Sequence, residues 1–284
     1  MNRYVLFVCV WCLCGIAAGN ELIVRHPRPT SARDQRNAYF MDMLRLALNQ
    51  TVGEHGPFTL REAEHAMPQG RAMANLRRGI HLDVLWTMTS KEREVGLRPV
   101  RIPLLKGLLG HRVFLIREGD QERFRSVTAL TELTKLKAGQ GHDWPDTGIL
   151  RANGIPVVTS RYYAGLFIML RRNRFDYFPR GVNEAWGEAK AHEGIVVEET
   201  LLLQYYAPIY FFVNASNVAL AERLERGLRL ALTDGEFDRL FFDHPANKEI
   251  FETANLKRRR LLKLENPQLP EETPLGEKAL WYTP

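Results

Sequence analysis

Apolar and polar positions along this chain switch between two periods, and the switches mark its elements. Leu22, Ile23 and Val24 form a run of strand length, and the Pro27 and Pro29 that follow remove the amide donors a strand needs. Residues 31–34 read as a helix start, and residues 38–48 place Met43, Leu44, Ala47 and Leu48 at helical spacing. Residues 58–60 predict a second strand and residues 69–78 a second helix, closed by Gly79. A third strand lies within residues 81–93.

The alternation then repeats. Strands are predicted at residues 113–116, 155–158 and 175–178, and helices at 126–136 with Ser126 as cap, 144–152, 162–172 and 182–191. Between them residues 137–141 are short and Gly-rich. The chain returns through strands at 200–213 and continues in helices at 217–232, 236–242 and 248–262. A tail with Pro267, Pro270, Pro274 and Pro284 follows. Strands alternating with helices predict an α/β fold with largely parallel sheets. Two such groups joined by two passages, near 112–120 and 203–213, predict a cleft and a hinge.

The ends change the picture first. Arg3, the apolar residues 4–16 and Ala17-Ala18-Gly19 have the form of a signal peptide over residues 1–19. The apolar stretch is short of the roughly 20 residues a membrane span needs. Cys9, Cys12 and Cys14 all lie in that segment, so the rest of the chain has no disulfide, thiolate nucleophile or cysteine metal site. The apolar residues 201–220 are interrupted by Gln204, Pro208, Asn214, Ser216 and Asn217, which excludes a transmembrane reading.

With 45% apolar and 25% charged residues the composition is that of an ordinary globular protein. The net charge of +6 is spread along the chain, apart from residues 257–260, which read as a solvated helix face. A nucleic-acid role would need a basic stripe and a recognisable module, and neither is present.

Candidate chemistry centres on residues 81–93. Here an apolar strand breaks into Thr87, Thr89 and Ser90 and ends on Arg93, which offers hydroxyls and a guanidinium where open α/β sheets bind ligands. The planar fork of arginine suits a carboxylate. Acid–base candidates are few: His26, His142, Asp143 and Glu184, with His142-Asp143 reading first as a cap for the helix at 144. Gly139-Gln140-Gly141 lacks the third glycine of a dinucleotide loop, and no cofactor is implied.

Four stretches, taken in order, resemble the type II periplasmic solute-binding proteins, in particular the family that supplies polar amino acids to ABC importers (solute-binding protein family 3). They are Leu82-Asp83-Val84 with Thr89-Ser90-Lys91-Glu92-Arg93, Lys137-Ala138-Gly139-Gln140-Gly141, Arg174-Phe175-Asp176, and Leu232-Thr233-Asp234-Gly235-Glu236-Phe237. The resemblance implies a two-lobed periplasmic-binding-protein-like fold, each lobe a mixed, mostly parallel sheet flanked by helices. Lobe 1 would be residues 20–114 and 208–284, and lobe 2 residues 115–207.

It further implies a periplasmic monomer, not an enzyme, that traps a small anionic or zwitterionic ligand for an ABC permease or reports it to a membrane sensor. A dehydratase-like enzyme is the remaining alternative on this fold. Arg93 would clamp the ligand carboxylate beside Ser90 or Thr89. Gln140 and Gly141 would donate from a helix N-terminus, and Trp144 would wall the cleft or pack its own helix. This chain has no acidic residue where the family binds the ligand ammonium; Arg180 and Gly181 occupy that neighbourhood. Either Glu184 takes that role, or Arg93 and Arg180 together favour an acidic or polyanionic solute. The tail ending in Trp281-Tyr282 is expected to wrap the first lobe.

Overall fold

A computed structural model describes residues 21–28 and 35–283. The signal-peptide reading of residues 1–19 and the helix start at 31–34 lie outside the described residues. In chain order the elements are β1 (Leu22–His26), α1 (Gln35–Asn49), α2 (Val52–His55), β2 (Phe58–Glu62), α3 (Gln69–Arg77), β3 (Leu85–Met88), α4 (Lys91–Glu94) and β4 (Leu97–Val100). Next come β5 (His111–Arg117), α5 (Gln121–Arg125), α6 (Leu130–Leu133), β6 (Ala138–Gly141), α7 (Pro145–Ala152) and β7 (Val157–Ser160). They are followed by α8 (Tyr163–Arg171), β8 (Phe178–Gly181), α9 (Val182–Ala191), β9 (Ile195–Val197) and β10 (Leu201–Gln204). The chain returns through β11 (Ile209–Asn214) to α10 (Val218–Thr233), α11 (Glu236–Asp243) and α12 (Pro245–Thr253), and then forms β12 (Arg260–Lys263).

These elements make two lobes. In the first, β1 and β2 pair in parallel, and β11 lies antiparallel between β3 and β4. The amides of Asp83 and Val84 both donate to the carbonyl of Arg25, which joins the two pieces into one layer. In the second, the order is β12-β10-β5-β8 with β9 beside β5, and β6 pairs with β7. A bridge between Ala138 and Tyr177 ties β6 and β7 to the rest. Five of the eight pairings are antiparallel, so the sheets are less parallel than expected. Of the strands that return between lobes, β11 runs against both its neighbours and β10 against β5.

The hinge is narrow because Gly110 lets its two passages touch. A β-carbon at Gly110 would lie 1.9 Å from the carbonyl oxygen of Tyr205, and Tyr205 in turn donates its amide to the Gly110 carbonyl at 3.2 Å. The buried apolar residues behind the cleft, among them Leu104, Leu108, Val113, Phe114, Leu203 and Ile209, form one cluster through both lobes. No helix among the described residues is long and apolar enough to cross a membrane.

Four sequence expectations are corrected. The helix placed at 126–136 is only the four-residue α6, because Ser126 closes the preceding α5 instead of starting a helix, and the Glu132 carboxylate takes the amides of Thr128 and Ala129 to start α6. The helix placed at 248–262 stops at Thr253, and the chain turns at Asn255, whose φ is +48°, before pairing as β12 with β10. Residues 257–260 are accordingly not a solvated helix face. Arg259 is buried and donates to the carbonyls of Ala254, Glu198 and Leu201 at 2.8, 2.5 and 3.2 Å. Because β12 belongs to the second sheet, residues 208–284 do not form a lobe-1 unit throughout.

Candidate functional site

Arg93 reaches the cleft from a helix of four residues. The strand β3 ends at Met88, and the Ser90 hydroxyl caps α4 by accepting the Arg93 amide at 3.2 Å. Thr89 turns away and donates to Glu94 at 2.6 Å. The Arg93 guanidinium is buried and held by four neutral oxygens. Nη1 donates to Thr87 Oγ1 at 2.6 Å and to the Met88 carbonyl at 3.0 Å, and Nη2 donates to Gln69 Oε1 at 2.7 Å. The fourth partner is in the other lobe: Nη2 lies 3.3 Å from the carbonyl oxygen of Asp143. Among the described residues no carboxylate pairs with it. Burial therefore pulls its pKa down to about 10, while the more distant Asp146, Asp143 and Glu92 act in the opposite direction.

A cavity of about 410 Å³ opens beside Arg93 between the lobes. The first lobe contributes Phe40, Gln69, Trp86, Thr87 and Met88, the hinge contributes Leu109, Arg112 and Ile209, and the second lobe contributes Trp144, Asp146, Arg180, Asn183 and Glu184. Trp86 stacks on Phe40 with ring centroids 5.8 Å apart, giving the first lobe an aromatic wall. Trp144 gives the second lobe its own. It precedes α7, packs its ring over Gly141, and stacks on Phe178 at 6.2 Å, so its packing and wall roles coincide.

The far end of the cavity is an ion-pair network. Arg180 clamps Glu188 through two bonds of 2.7 Å and also meets Glu184 at 2.9 Å, while its guanidinium lies 4.8 Å from the Trp144 ring centre. Burial alone would lower the pKa of Arg180, but Glu184 and Glu188 hold it well above the usual arginine value. Arg112, on hinge strand β5, pairs with Asp146 at 2.6 Å and Glu184 at 3.4 Å, and donates to the Tyr205 hydroxyl at 3.0 Å. The Tyr205 hydroxyl donates to Asp146. Burial works to lower the Arg112 pKa too, and Asp146 leads the groups that raise it overall. Arg112 and Arg180 thus meet Asp146, Glu184 and Glu188 in one network across the cavity from Arg93.

The structure brings Arg93, Trp144, Arg180 and Glu184 to this cavity and leaves other candidates out. Ser90 lines a smaller neighbouring cavity. Gln140 and Gly141 are not at a helix N-terminus. They are buried in β6, where Gln140 Nε2 donates to the Pro179 carbonyl and the Gly141 carbonyl accepts from Thr147. The glycines there make room for rings: a β-carbon on Gly139 or Gly141 would lie 2.2 Å from Phe175 or 2.4 Å from Trp144. Asp143 does not cap α7, whose N-cap position is Trp144; its carbonyl serves Arg93 instead. Arg180 is not a free cation, because Glu188, eight residues on, returns from α9 to neutralise it. Sequence reasoning missed Arg112, Asp146, Glu188 and Phe40. Only the small-residue run 138–141, which allows close ring packing, pointed toward that wall.

No protein-family model matches the sequence, and no curated protein matches it. Solved structures do. The chain is similar to an arginine-specific periplasmic binding protein of Salmonella typhimurium, with a TM-score of 0.58 and 15% identity over 79% of this chain and 99% of that one. It is also similar to an ancestral arginine-binding protein bound to glutamine, with a TM-score of 0.57 and 18% identity over 79% and 98% of the two chains. A histidine kinase sensor domain described as similar to periplasmic binding proteins matches with a TM-score of 0.55 and 16% identity over 80% and 96%. The cleft, the hinge and these likenesses together show that the chain has the two-lobed fold of the periplasmic amino-acid-binding proteins.

Proposed function

We propose that this chain is a solute-binding protein that closes its lobes on a small zwitterionic solute carrying one carboxylate. The observation that carries this reading is Arg93, a buried cleft cation surrounded by neutral oxygens. A ligand carboxylate supplies the missing counter-charge by displacing the Gln69 amide or the Asp143 carbonyl from its donors. Glu184 lines the same cavity, and its carboxylate gives a cationic group on the ligand a partner beside the guanidiniums it already meets. This arrangement supports an amino acid or related zwitterion over the acidic or polyanionic solute that two free arginines would favour.

Binding rather than catalysis is the better reading of the cleft. The carboxylates lining the larger cavity are each engaged by a guanidinium, and no histidine lines it among the described residues. The structural neighbours include binding proteins for ABC transporters, a sensor domain, and an ancestral amino-acid-binding protein identified as a precursor of cyclohexadienyl dehydratase. We favour a secreted protein serving an importer, with a sensor as the second reading.

A thermal-shift screen of residues 20–284 against neutral amino acids, dicarboxylates and polyamines tests the proposal, because a ligand specific to the folded state raises its apparent stability. A shift with a zwitterion that disappears in Arg93→Ala supports it. A shift only with dicarboxylates, or one that survives Arg93→Ala, overturns it.

A further inference from the structure

The segment after β12 touches both lobes in turn. Its first residues stay with the second lobe: the Glu265 amide donates to Asn153 Oδ1 at 3.0 Å, and its carbonyl accepts from Asn153 Nδ2 at 2.8 Å. Asn153 is the residue that closes α7. Three residues later the partner changes. The Gln268 carbonyl accepts the amide of Lys91 at 2.9 Å, at the start of α4 in the first lobe and two residues from Arg93. The Gln268 side chain meanwhile reaches the second lobe, where a β-carbon built on Gly148 of α7 would lie 1.8 Å from its Nε2.

Gln268 therefore sits on the seam between the lobes, and with Ser90, Arg93 and His142 it walls the second cavity, of about 270 Å³. Beyond it the tail belongs to the first lobe. Glu277 pairs with Arg229, Trp281 lies over Gly107, and the Tyr282 amide donates to the Lys106 carbonyl at 2.7 Å.

We propose that residues 265–272 are a strap across the rim of the cleft, and that Gln268 is its clasp, so that the lobes part only when Gln268 leaves Lys91 and Gly148. The geometry sets the limit. Three residues fully extended reach roughly 10 Å, so an anchor at Asn153 and another at Lys91 cannot separate further while both hold. The Lys91 end is the one to yield, because it has a single hydrogen bond where the Asn153 end has two. The strap is a third connection beside the two hinge passages, and it acts whatever solute the cleft takes.

The test uses the full chain without ligand and three variants: Gln268→Ala, Gly148→Ala and both together. Gln268→Ala removes the side-chain contact with the second lobe, and Gly148→Ala displaces the same side chain with a methyl group. Hydrogen exchange at the Lys91 amide reports clasp release, the Glu265 amide reports the fixed end, and small-angle scattering reports lobe separation. Gln268→Ala keeps the backbone carbonyl that accepts from Lys91, so each single variant acts through the lost or displaced side-chain contact, and Lys91 is expected to exchange roughly fivefold faster. Glu265 should stay protected and the radius of gyration should rise. In the double variant the added methyl meets no long side chain, so its behaviour should match Gln268→Ala alone. Thermal melting confirms that each variant folds, and the two singles reach the contact from opposite sides, so loss of one still leaves a test. Unchanged Lys91 exchange in a folded variant overturns the proposal. So does faster exchange with no change in radius, which would make the tail a passive covering.

Discussion

Arg180 on β8 and Glu188 on α9 face each other through two parallel hydrogen bonds of 2.7 Å, with both side chains almost fully buried. The pair ties the second half of α9 to the strand before it and backs the second-lobe wall of the cleft. Its strength lies in completeness, since a buried ion pair is costly to form and more costly to halve.

Glu188→Ala should therefore destabilise the protein by about 3–5 kcal/mol, whereas a double replacement of Arg180 and Glu188 by apolar residues of similar volume should cost much less. Urea denaturation of the single and double variants measures both. Equal losses would mean that Arg180 finds another full partner when Glu188 is gone.

Arg93→Ala strands no paired carboxylate among the described residues, so its stability loss should be smaller than that of Glu188→Ala, yet it should abolish binding of the cognate carboxylate. Losing one member of a buried charged pair corresponds to roughly 3–5 kcal/mol of affinity. Since burial already brings the Arg93 pKa down to about 10, affinity in the wild type should weaken as pH rises through that value and the cation is lost. Isothermal titration across pH 8–11, run beside Arg93→Ala to separate the guanidinium from the ligand ammonium, reads this, and unchanged affinity in Arg93→Ala would remove Arg93 from the ligand site.

The path to Arg93 was visible in the sequence because it is local: an apolar strand, hydroxyl residues and an arginine follow one another within residues 81–93. Its partners were not, since Gln69 lies 24 residues before it and Asp143 contributes a backbone carbonyl 50 residues after it. Strands and helices with clear periods, such as β1, β5 and α10, were legible for the same local reason. The strand β12 was not, because Arg260-Leu261-Leu262-Lys263 follows helical residues without a Gly or Pro break, and only pairing with β10 makes it extended. The neutralisation of Arg180 was hidden too. A glutamate eight residues downstream reads as a helix surface until the helix folds back on its strand.

Two glycines on neighbouring second-lobe elements should respond in opposite directions. Gly141→Ala puts a methyl 2.4 Å from the Trp144 ring, which cannot retreat without leaving Phe178 and Arg180, so overpacking should cost about 1–3 kcal/mol and distort the cleft wall. Gly187 sits exposed within α9 with nothing within 4 Å of a β-carbon, and Gly187→Ala should stabilise the helix by roughly 0.5–1 kcal/mol. Melting curves of the two variants should move apart from the wild type in opposite senses.

Stability should fall in two separate pH windows. His111 starts the hinge strand β5 with its ring buried, and burial holds its pKa below the usual 6.5. Between that depressed value and 6.5 the unfolded chain binds more protons than the folded one, so stability is lost as pH drops through this interval and changes no further from this group once the folded imidazole is also protonated. His26, His192 and His244 are depressed by burial as well and add to the same window. Asp83 behaves differently. Burial would raise its pKa, but the side-chain and backbone hydrogen bonds from Arg25, with the nearby charge, bring it below 3.8, so its contribution persists above that value and is lost only at lower pH. Denaturant midpoints measured from pH 8 to pH 3 should show both declines. His111→Gln should reduce the upper one and leave the lower, Asp83→Asn should reduce the lower and leave the upper, and an upper decline unchanged in His111→Gln would show that the hinge histidine takes no part in it.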